Sequence, residues 1–128
     1  ILKCAQIPFL HDVNDSTEKL RQLLLLLVQI KIIPIHLFHA MPFTPGVNLF
    51  RPKVEKGRKI LSEIRRHDSS LIIPMYEIVH QTGKYEIPID GTIESDSNSL
   101  HYGDLDGHPT VEFTNYLGKK VIYLDGCA

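Results

Sequence analysis

The sequence predicts an α/β fold in which a β-α-β-α-β segment over residues 1–88 precedes a C-terminal extension over residues 89–128 that ends in a small β-hairpin. Three observations predict it. Strand-like and helix-like hydrophobic patterns alternate along the first segment, the extension is polar and rich in turn residues, and two short strand patterns flank a turn near its end. Alternating strands and helices imply parallel strands joined by right-handed crossovers. The residues alone leave two options open, a small open sheet or the last part of a (β/α) barrel.

The first half of the segment supplies a strand, a helix and a second strand. Ile1–Leu10 is an apolar strand pattern, and Asp15 with Glu18 three residues later predicts a helix N-cap. Residues at helical spacing then define an apolar stripe: Leu20, Leu23, Leu24, Leu27 and Ile30. Lys31–Phe38 is a short isoleucine-rich run that is typical of a buried strand.

The second half of the segment supplies a loop, a helix and a third strand. His39–Phe50 contains two prolines and a glycine, which predicts a loop. Lys53–Arg66 has the pattern of an amphipathic helix, and Leu71–Val79 is the third predicted strand. In the extension, Val111–Thr114 and Lys119–Leu124 predict the two strands of the hairpin.

Composition excludes several classes of partner. The net charge is −1, apolar residues make up 43% and charged residues 23%, so neither nucleic acid nor a membrane surface is expected as a partner. The longest apolar run, Leu23–Val28, is far shorter than the roughly 20 residues of a membrane span. Two cysteines form no disulfide framework, which fits a cytoplasmic protein. Because the chain opens on Ile1 rather than Met, we expect an excised piece of a longer protein or a processed product.

Seven short stretches stand in an order and spacing that resemble the C-terminal part of the lysine 2,3-aminomutase family. These are radical S-adenosylmethionine (radical SAM) enzymes that also use pyridoxal phosphate. The stretches are spread along nearly the whole chain: Gln6–Leu10, Val13–Asp15, Ile33–His36, Asn48–Arg51, Glu55–Gly57, Ser69–Pro74 and Asn115–Gly118. The resemblance implies a partial parallel (β/α) barrel of the radical SAM type.

The resemblance also implies cofactors and partners. The family uses a 4Fe-4S cluster, S-adenosylmethionine and pyridoxal phosphate, but its Cys-x-x-x-Cys-x-x-Cys motif belongs to the N-terminal part. Cys4 and Cys127 cannot hold three irons, so the cluster and S-adenosylmethionine would come through the N-terminal part of the same protein. The expected substrate is an amino acid, and this chain alone is expected to be inactive. A half barrel exposes a strand edge, which predicts self-association into a homo-oligomer or poor solubility of the isolated chain.

The stretch HQTGKYEIP contains the most informative difference from the family. There, a lysine just before an Ile/Val-Pro pair forms the Schiff base with pyridoxal phosphate. Without a gap between Pro74 and Pro88, that lysine falls on Glu86, and a carboxylate cannot form an imine. Lys84, two residues upstream, becomes the Schiff-base candidate if the loop shifts, and is otherwise a solvated surface lysine.

Further site positions also follow from the resemblance. Gln6 is retained near the family's cofactor, and Gly83 survives from the family's glycine run, so both are cofactor-binding candidates. Family aspartates that hold the substrate's distal ammonium fall on Met41 and Val79, which cannot bind an ammonium. No metal site is predicted. His36 and His39, three residues apart on a strand, point to opposite faces and make a poor metal pair.

Two functions of different class remain open. The first is amino group migration on an amino acid, with this chain as the C-terminal part of a lysine 2,3-aminomutase-like protein. The alternative is a diverged, non-catalytic, barrel-derived binding domain that lacks the Schiff-base lysine. A radical SAM enzyme acting on a different amino acid or on a peptide lysine is a third option.

Overall fold

A computed structural model describes residues 1–42, 46–68, 70–90 and 100–127. The centre of the predicted loop, 43–45, and the polar stretch 91–99 lie outside the described residues. The described elements follow in chain order: β1 (Lys3–Phe9), α1 (Thr17–Gln29), β2 (Ile32–His39), a 3-10 helix (Val47–Phe50), α2 (Val54–His67), β3 (Met75–His80), β4 (Gly83–Glu86), β5 (His101–Leu105), β6 (His108–Thr114) and β7 (Lys120–Leu124). No described helix is long and apolar enough to cross a membrane.

The first sheet has four strands in the order β1-β2-β3-β4. The pairs β1–β2 and β2–β3 are parallel, as predicted, and β3–β4 is antiparallel. Pro34 is tolerated in the central strand β2 because the register with β1 shifts at this point, between Ala5 and Gln6. The described structure is therefore mixed α/β, and the partial barrel stays a prediction.

Both helices pack on the same face of this sheet. They bury Leu20, Leu24 and Leu27 from α1 and Val54, Ile60, Leu61 and Ile64 from α2. The strands meet them with the buried residues Ile7, Phe9, Leu37, Tyr76 and Ile78. Because side chains alternate along a strand, the residues between these point away from the helices. We call that side the helix-free face: Gln6, Pro8, His36, Phe38, Met75, Glu77, Val79, Lys84 and Glu86.

The second sheet is antiparallel, with the order β5-β6-β7. The predicted hairpin is confirmed as β6 and β7, but β5 was missed. The turn that joins β5 to β6 is Asp106-Gly107. Both residues have positive φ (50° and 84°), as the commonest two-residue hairpin turns require. Val111 and Phe113 join the same buried cluster as the first sheet. The predicted division at residue 88 stays a prediction.

Two predicted boundaries were wrong. Ser16, not Asp15, is the N-cap of α1, and its Oγ accepts a hydrogen bond from the backbone N–H of Lys19 at 3.2 Å. The third strand begins at Met75 rather than Leu71, directly after Pro74, which has no N–H to donate to a ladder.

Candidate ligand-binding face

The stretch HQTGKYEIP forms a tight β-hairpin. His80 pairs with Gly83 at the ends of β3 and β4, and Gln81 and Thr82 form the two-residue loop. Gly83 has a φ of 120°, which L side chains rarely adopt, and a Cβ there would lie 3.1 Å from the Tyr116 ring. The hairpin itself therefore explains the glycine, whatever its role toward a cofactor.

The strand registers bring most of the predicted site residues to the helix-free face. Val79 lies opposite Lys84 in the β3–β4 pair, and Glu86 follows Lys84 by two residues on the same strand. Gln6 is exposed on the same face from β1. Met41 lies outside this group, beyond the end of β2, and is half-buried. Gln6 from β1 thus shares one surface with three positions of the β3–β4 hairpin.

Lys84 presents an exposed amine to this surface. Its Nζ lies 5.3 Å from the centroid of the Phe38 ring on β2, a cation–π contact. Within the described part of the chain, no hydrogen bond or ion pair engages the amine. It is therefore held over an aromatic ring but remains chemically available.

A histidine and a glutamate form a second feature of the same face, next to Phe38. The His36 ring stacks on Phe38 with centroids 5.2 Å apart and planes at 13°. Its Nδ1 lies 2.9 Å from Oε2 of Glu77, a pair whose alignment is that of an ion pair rather than of a linear hydrogen bond. Glu77 is 6% exposed, which is rare for a glutamate unless it is paired.

The face fits one part of pyridoxal phosphate and not another. Lys84 supplies an amine that can form an imine with an aldehyde. The phosphate has no evident anchor, because Lys84 is the only lysine or arginine that the described registers place here, beside the carboxylates of Glu77 and Glu86. A full cofactor site would therefore need groups from elsewhere.

The opposite side of β2 carries a closed polar network around His39, which is 0% exposed. Its Nε2 lies 2.6 Å from the Pro52 carbonyl oxygen and its Nδ1 2.7 Å from Oη of Tyr123. Since a carbonyl only accepts, Nε2 carries the proton and Nδ1 accepts from the tyrosine. Burial lowers the pKa of His39 to about 4, assisted by nearby Arg51 and opposed by the Pro52 carbonyl. This histidine is structural.

Arg51 links the C-terminal strand to the end of β2. It is 4% exposed, and it donates to the carbonyls of Ala40 (2.8 Å), Asp125 (3.0 Å) and Leu124 (2.5 Å). Asp125 Oδ1 in turn accepts the backbone N–H of Val54 at 2.8 Å, at the start of α2. The C-terminal tail thereby holds the segment that precedes Met41 and the helix that follows it.

One group of potential metal ligands lies at the carboxyl end of β1. Ligand atoms of His11, Asp12 and Asp15 lie within 4.8 Å of one another. Asp15 is already engaged, because its Oδ2 lies 2.6 Å from Nζ of Lys56 and 2.8 Å from Nδ1 of His11. Burial tends to raise its pKa, but these hydrogen bonds outweigh burial and lower it to about 2. The geometry is that of an ion-paired carboxylate.

Sequence reasoning missed the His36–Glu77 pair. A signal was available, since His36 and Phe38 alternate with the buried residues Leu37 and His39, and Glu77 alternates with Tyr76 and Ile78. The diagonal relation between the two depends on the β2–β3 register, in which Phe38 faces Glu77. That register belongs to the tertiary structure and is not visible in the sequence of either strand.

Comparison with known proteins gives a partial relationship. The chain is 34% identical over 84 residues to "Putative L-lysine 2,3-aminomutase" of Aquifex aeolicus, and 27% identical over 84 residues to L-lysine 2,3-aminomutase of Clostridium subterminale. Each match covers 66% of this chain but only 22% and 20% of the relative, so the chain spans about a fifth of their length. No protein-family model matches. The chain is thus similar to two lysine 2,3-aminomutases over part of its length.

Proposed function

We propose that the chain is the C-terminal part of a lysine 2,3-aminomutase-like protein, and that its helix-free face lines the pocket for an amino acid and its cofactor. The observation that carries this is the convergence of Gln6, Val79, Lys84 and Glu86 on one face. In a partial barrel of the radical SAM type, that face would be the interior. Partial identity to two lysine 2,3-aminomutases supports the same assignment.

We assign the imine-forming role to Lys84. Positions 84 and 86 are one pleat period apart, so their side chains point to the same side of β4, roughly 7 Å apart along the strand. An amine moved from 86 to 84 therefore stays on the helix-free face, whereas a move by one residue would place it against the helices. Pyridoxal phosphate would supply an electron sink for the migrating amino group. The iron–sulfur cluster, S-adenosylmethionine and the phosphate anchor would come from the N-terminal part of the protein.

Reductive trapping tests this assignment. The protein is incubated with pyridoxal phosphate, reduced with borohydride, and mapped by peptide mass spectrometry. We expect label on Lys84, loss of that label in Lys84→Arg, and no comparable label on Lys59, an exposed lysine of α2 that serves as the internal control. In Glu86→Lys we expect a second labelled position, because the substitution places an amine on the same face.

The alternative function is a non-catalytic binding domain. It is favoured by the side chains that stand where the family has its substrate-binding aspartates and its Schiff-base lysine. Val79 is apolar and half-buried, and Glu86 is an exposed carboxylate. Labelling of Lys84 no greater than that of Lys59, in a chain with native circular dichroism, would replace the aminomutase assignment with this one.

A further inference from the structure

We infer that Glu77 and Glu86 form a binding site for an organic cation of the alkylammonium type on the helix-free face. The cationic head group lies between the two carboxylates, and the alkyl chain lies over the apolar side chains beside them. Neither glutamate stands where the resemblance places the family's substrate-binding aspartates. The site rests on the proposed role of this face as a ligand pocket, but it needs no imine at Lys84.

Two like charges stand in direct register on this face. Glu77 on β3 is the Cα partner of Glu86 on β4 in the antiparallel pair. Directly opposite residues point to the same side of a sheet with Cβ atoms about 4.5–5.5 Å apart, and like charges in this arrangement destabilise the strand pair. The two glutamates therefore lower the stability of the free protein, and a cation bound between them removes that penalty.

The Glu77 carboxylate also lacks a hydrogen-bond donor. The residue is 6% exposed, and its Oε2 atom is buried without a hydrogen-bond partner among the described residues. His36 Nδ1 lies 2.9 Å from this oxygen but donates no hydrogen bond to it. A buried carboxylate oxygen without a donor is costly, and an ammonium supplies three N–H donors together with a positive charge. Rotation about the last side-chain bond exchanges the two carboxylate oxygens, so either can face the ligand.

The charges of the face favour a cation from outside. Lys84 is the only lysine or arginine that the described registers place here, and its amine lies over the Phe38 ring without an ion pair to either glutamate. Two carboxylates against one ammonium leave the face negative while His36 is neutral. His36, Glu77 and Glu86 do not bring three possible ligand atoms within 4.8 Å of one another, so they form no preformed metal centre. An organic cation is therefore the ligand that fits.

Apolar side chains around Glu77 accommodate an alkyl chain. Met75 and Val79 flank it on β3, each two residues away and hence on the same face. Phe38 is its Cα partner on β2. Met75 is 39% exposed, so covering it with an alkyl chain removes apolar surface from water. The site therefore recognises a cationic head group and an apolar chain together.

Titration of the chain with n-hexylammonium, followed by ¹H–¹⁵N NMR spectra, tests the site, and 1-hexanol is the uncharged probe of equal chain length. We expect saturable amine binding with the largest amide shifts at residues 77 and 86, and hexanol binding about 10-fold weaker or less. Glu77→Gln should weaken amine binding about 20-fold, because a buried carboxylate is lost. Glu86→Gln should weaken it about 5-fold, because that carboxylate is exposed. The matched control Glu63→Gln, at an exposed glutamate of α2, should leave the affinity unchanged.

The stability of the free chain gives a second readout. Glu86→Gln removes the like-charge opposition, so we expect a higher urea midpoint without ligand and a smaller stabilisation by hexylammonium. A midpoint equal to or below that of the wild type overturns the site.

Three binding results also overturn it: hexanol binding as tightly as the amine, an unchanged amine affinity in Glu86→Gln, or an equal loss of affinity in Glu63→Gln. Glu77→Gln is interpreted only with native circular dichroism, and Glu86→Gln decides where that variant does not fold. Hexylammonium forms no imine with a lysine. Failure of this titration therefore leaves the pyridoxal phosphate trapping result intact, and absence of trapped label on Lys84 leaves the cation site standing.

Discussion

The two faces of the first sheet put the same residue type to different uses. His39 is fully buried on the helix-packed side, with both ring nitrogens bonded and its pKa lowered by burial. His36, three residues earlier on the same strand, is partly exposed on the helix-free face and pairs through one nitrogen only. Strand alternation alone separates the two. The chemistry of each histidine therefore depends on which face of the sheet it occupies.

The largest expected effect on stability comes from the buried polar network around His39 and Arg51. Arg51→Ala would leave the carbonyls of Ala40, Leu124 and Asp125 without their donor. We expect the free energy of unfolding to fall by about 4 kcal/mol, since each buried unsatisfied group costs roughly 1–3 kcal/mol and such costs are not additive. Urea denaturation measures it. The control Arg66→Ala, at an arginine whose side chain is 70% exposed, should change stability by less than about 0.5 kcal/mol. Equal effects would mean that the tail does not hold the end of β2.

Two neighbouring residues on β3 allow the stability contributions of the two faces to be compared directly. Ile78 is 0% exposed against the helices, and Val79 is half-buried on the helix-free face. We expect Ile78→Ala to destabilise by about 3–4 kcal/mol, because it removes buried methyl groups and leaves a cavity, and Val79→Ala by about 1 kcal/mol or less. Thermal and urea unfolding measure both. Similar costs at both positions would show that the helix-free face is covered in solution, as in a self-associated form.

The buried histidine predicts a pH dependence of stability. Unfolded His39 takes up a proton near pH 6.5 and folded His39 only near pH 4, so the unfolded state binds more protons between these values. The stabilisation is therefore complete above about pH 6.5 and is lost as pH falls toward 4, by about 3 kcal/mol. His39→Gln can keep both hydrogen bonds without titrating. The wild-type curve minus the variant curve isolates this residue from Asp125, whose pKa is raised by burial. A flat difference curve contradicts the prediction.

Local patterns were enough to predict the helices, three strands and their parallel pairing. Alternation and helical spacing fix which side of each element is apolar, and the core follows from that. Packing also explains the glycine in Glu55–Gly57, a stretch that sequence analysis only matched to a family. Gly57 in Glu55–Gly57 is where α2 meets the Tyr76 ring, and a Cβ there would clash with it.

The missed features depend on strand pairing and side-chain contacts that local sequence patterns do not contain. β4 is a strand because β3 is its partner, and its residues GKYE alone carry no strand pattern. Likewise, Ser16 rather than Asp15 caps α1, because the Asp15 carboxylate contacts His11 and Lys56. Lys56 lies 41 residues away. The His36–Glu77 pair needs the register of two strands separated by a whole helix. No single-sequence pattern contains that register.

The smallest effect tests whether the Lys84 amine is positioned at all. Its contact with the Phe38 ring at 5.3 Å is exposed, so we expect a coupling of about 0.5 kcal/mol between the two side chains. A double-mutant cycle with Phe38→Leu and Lys84→Met measures it from unfolding free energies. The same cycle with Lys59→Met should give no coupling, because that lysine lies on α2, which packs against the other face. Zero coupling for Lys84 as well would mean that the amine moves freely in solvent. The helix-free face would then hold only the His36–Glu77 pair in a defined position, and Lys84 would be an ordinary surface lysine.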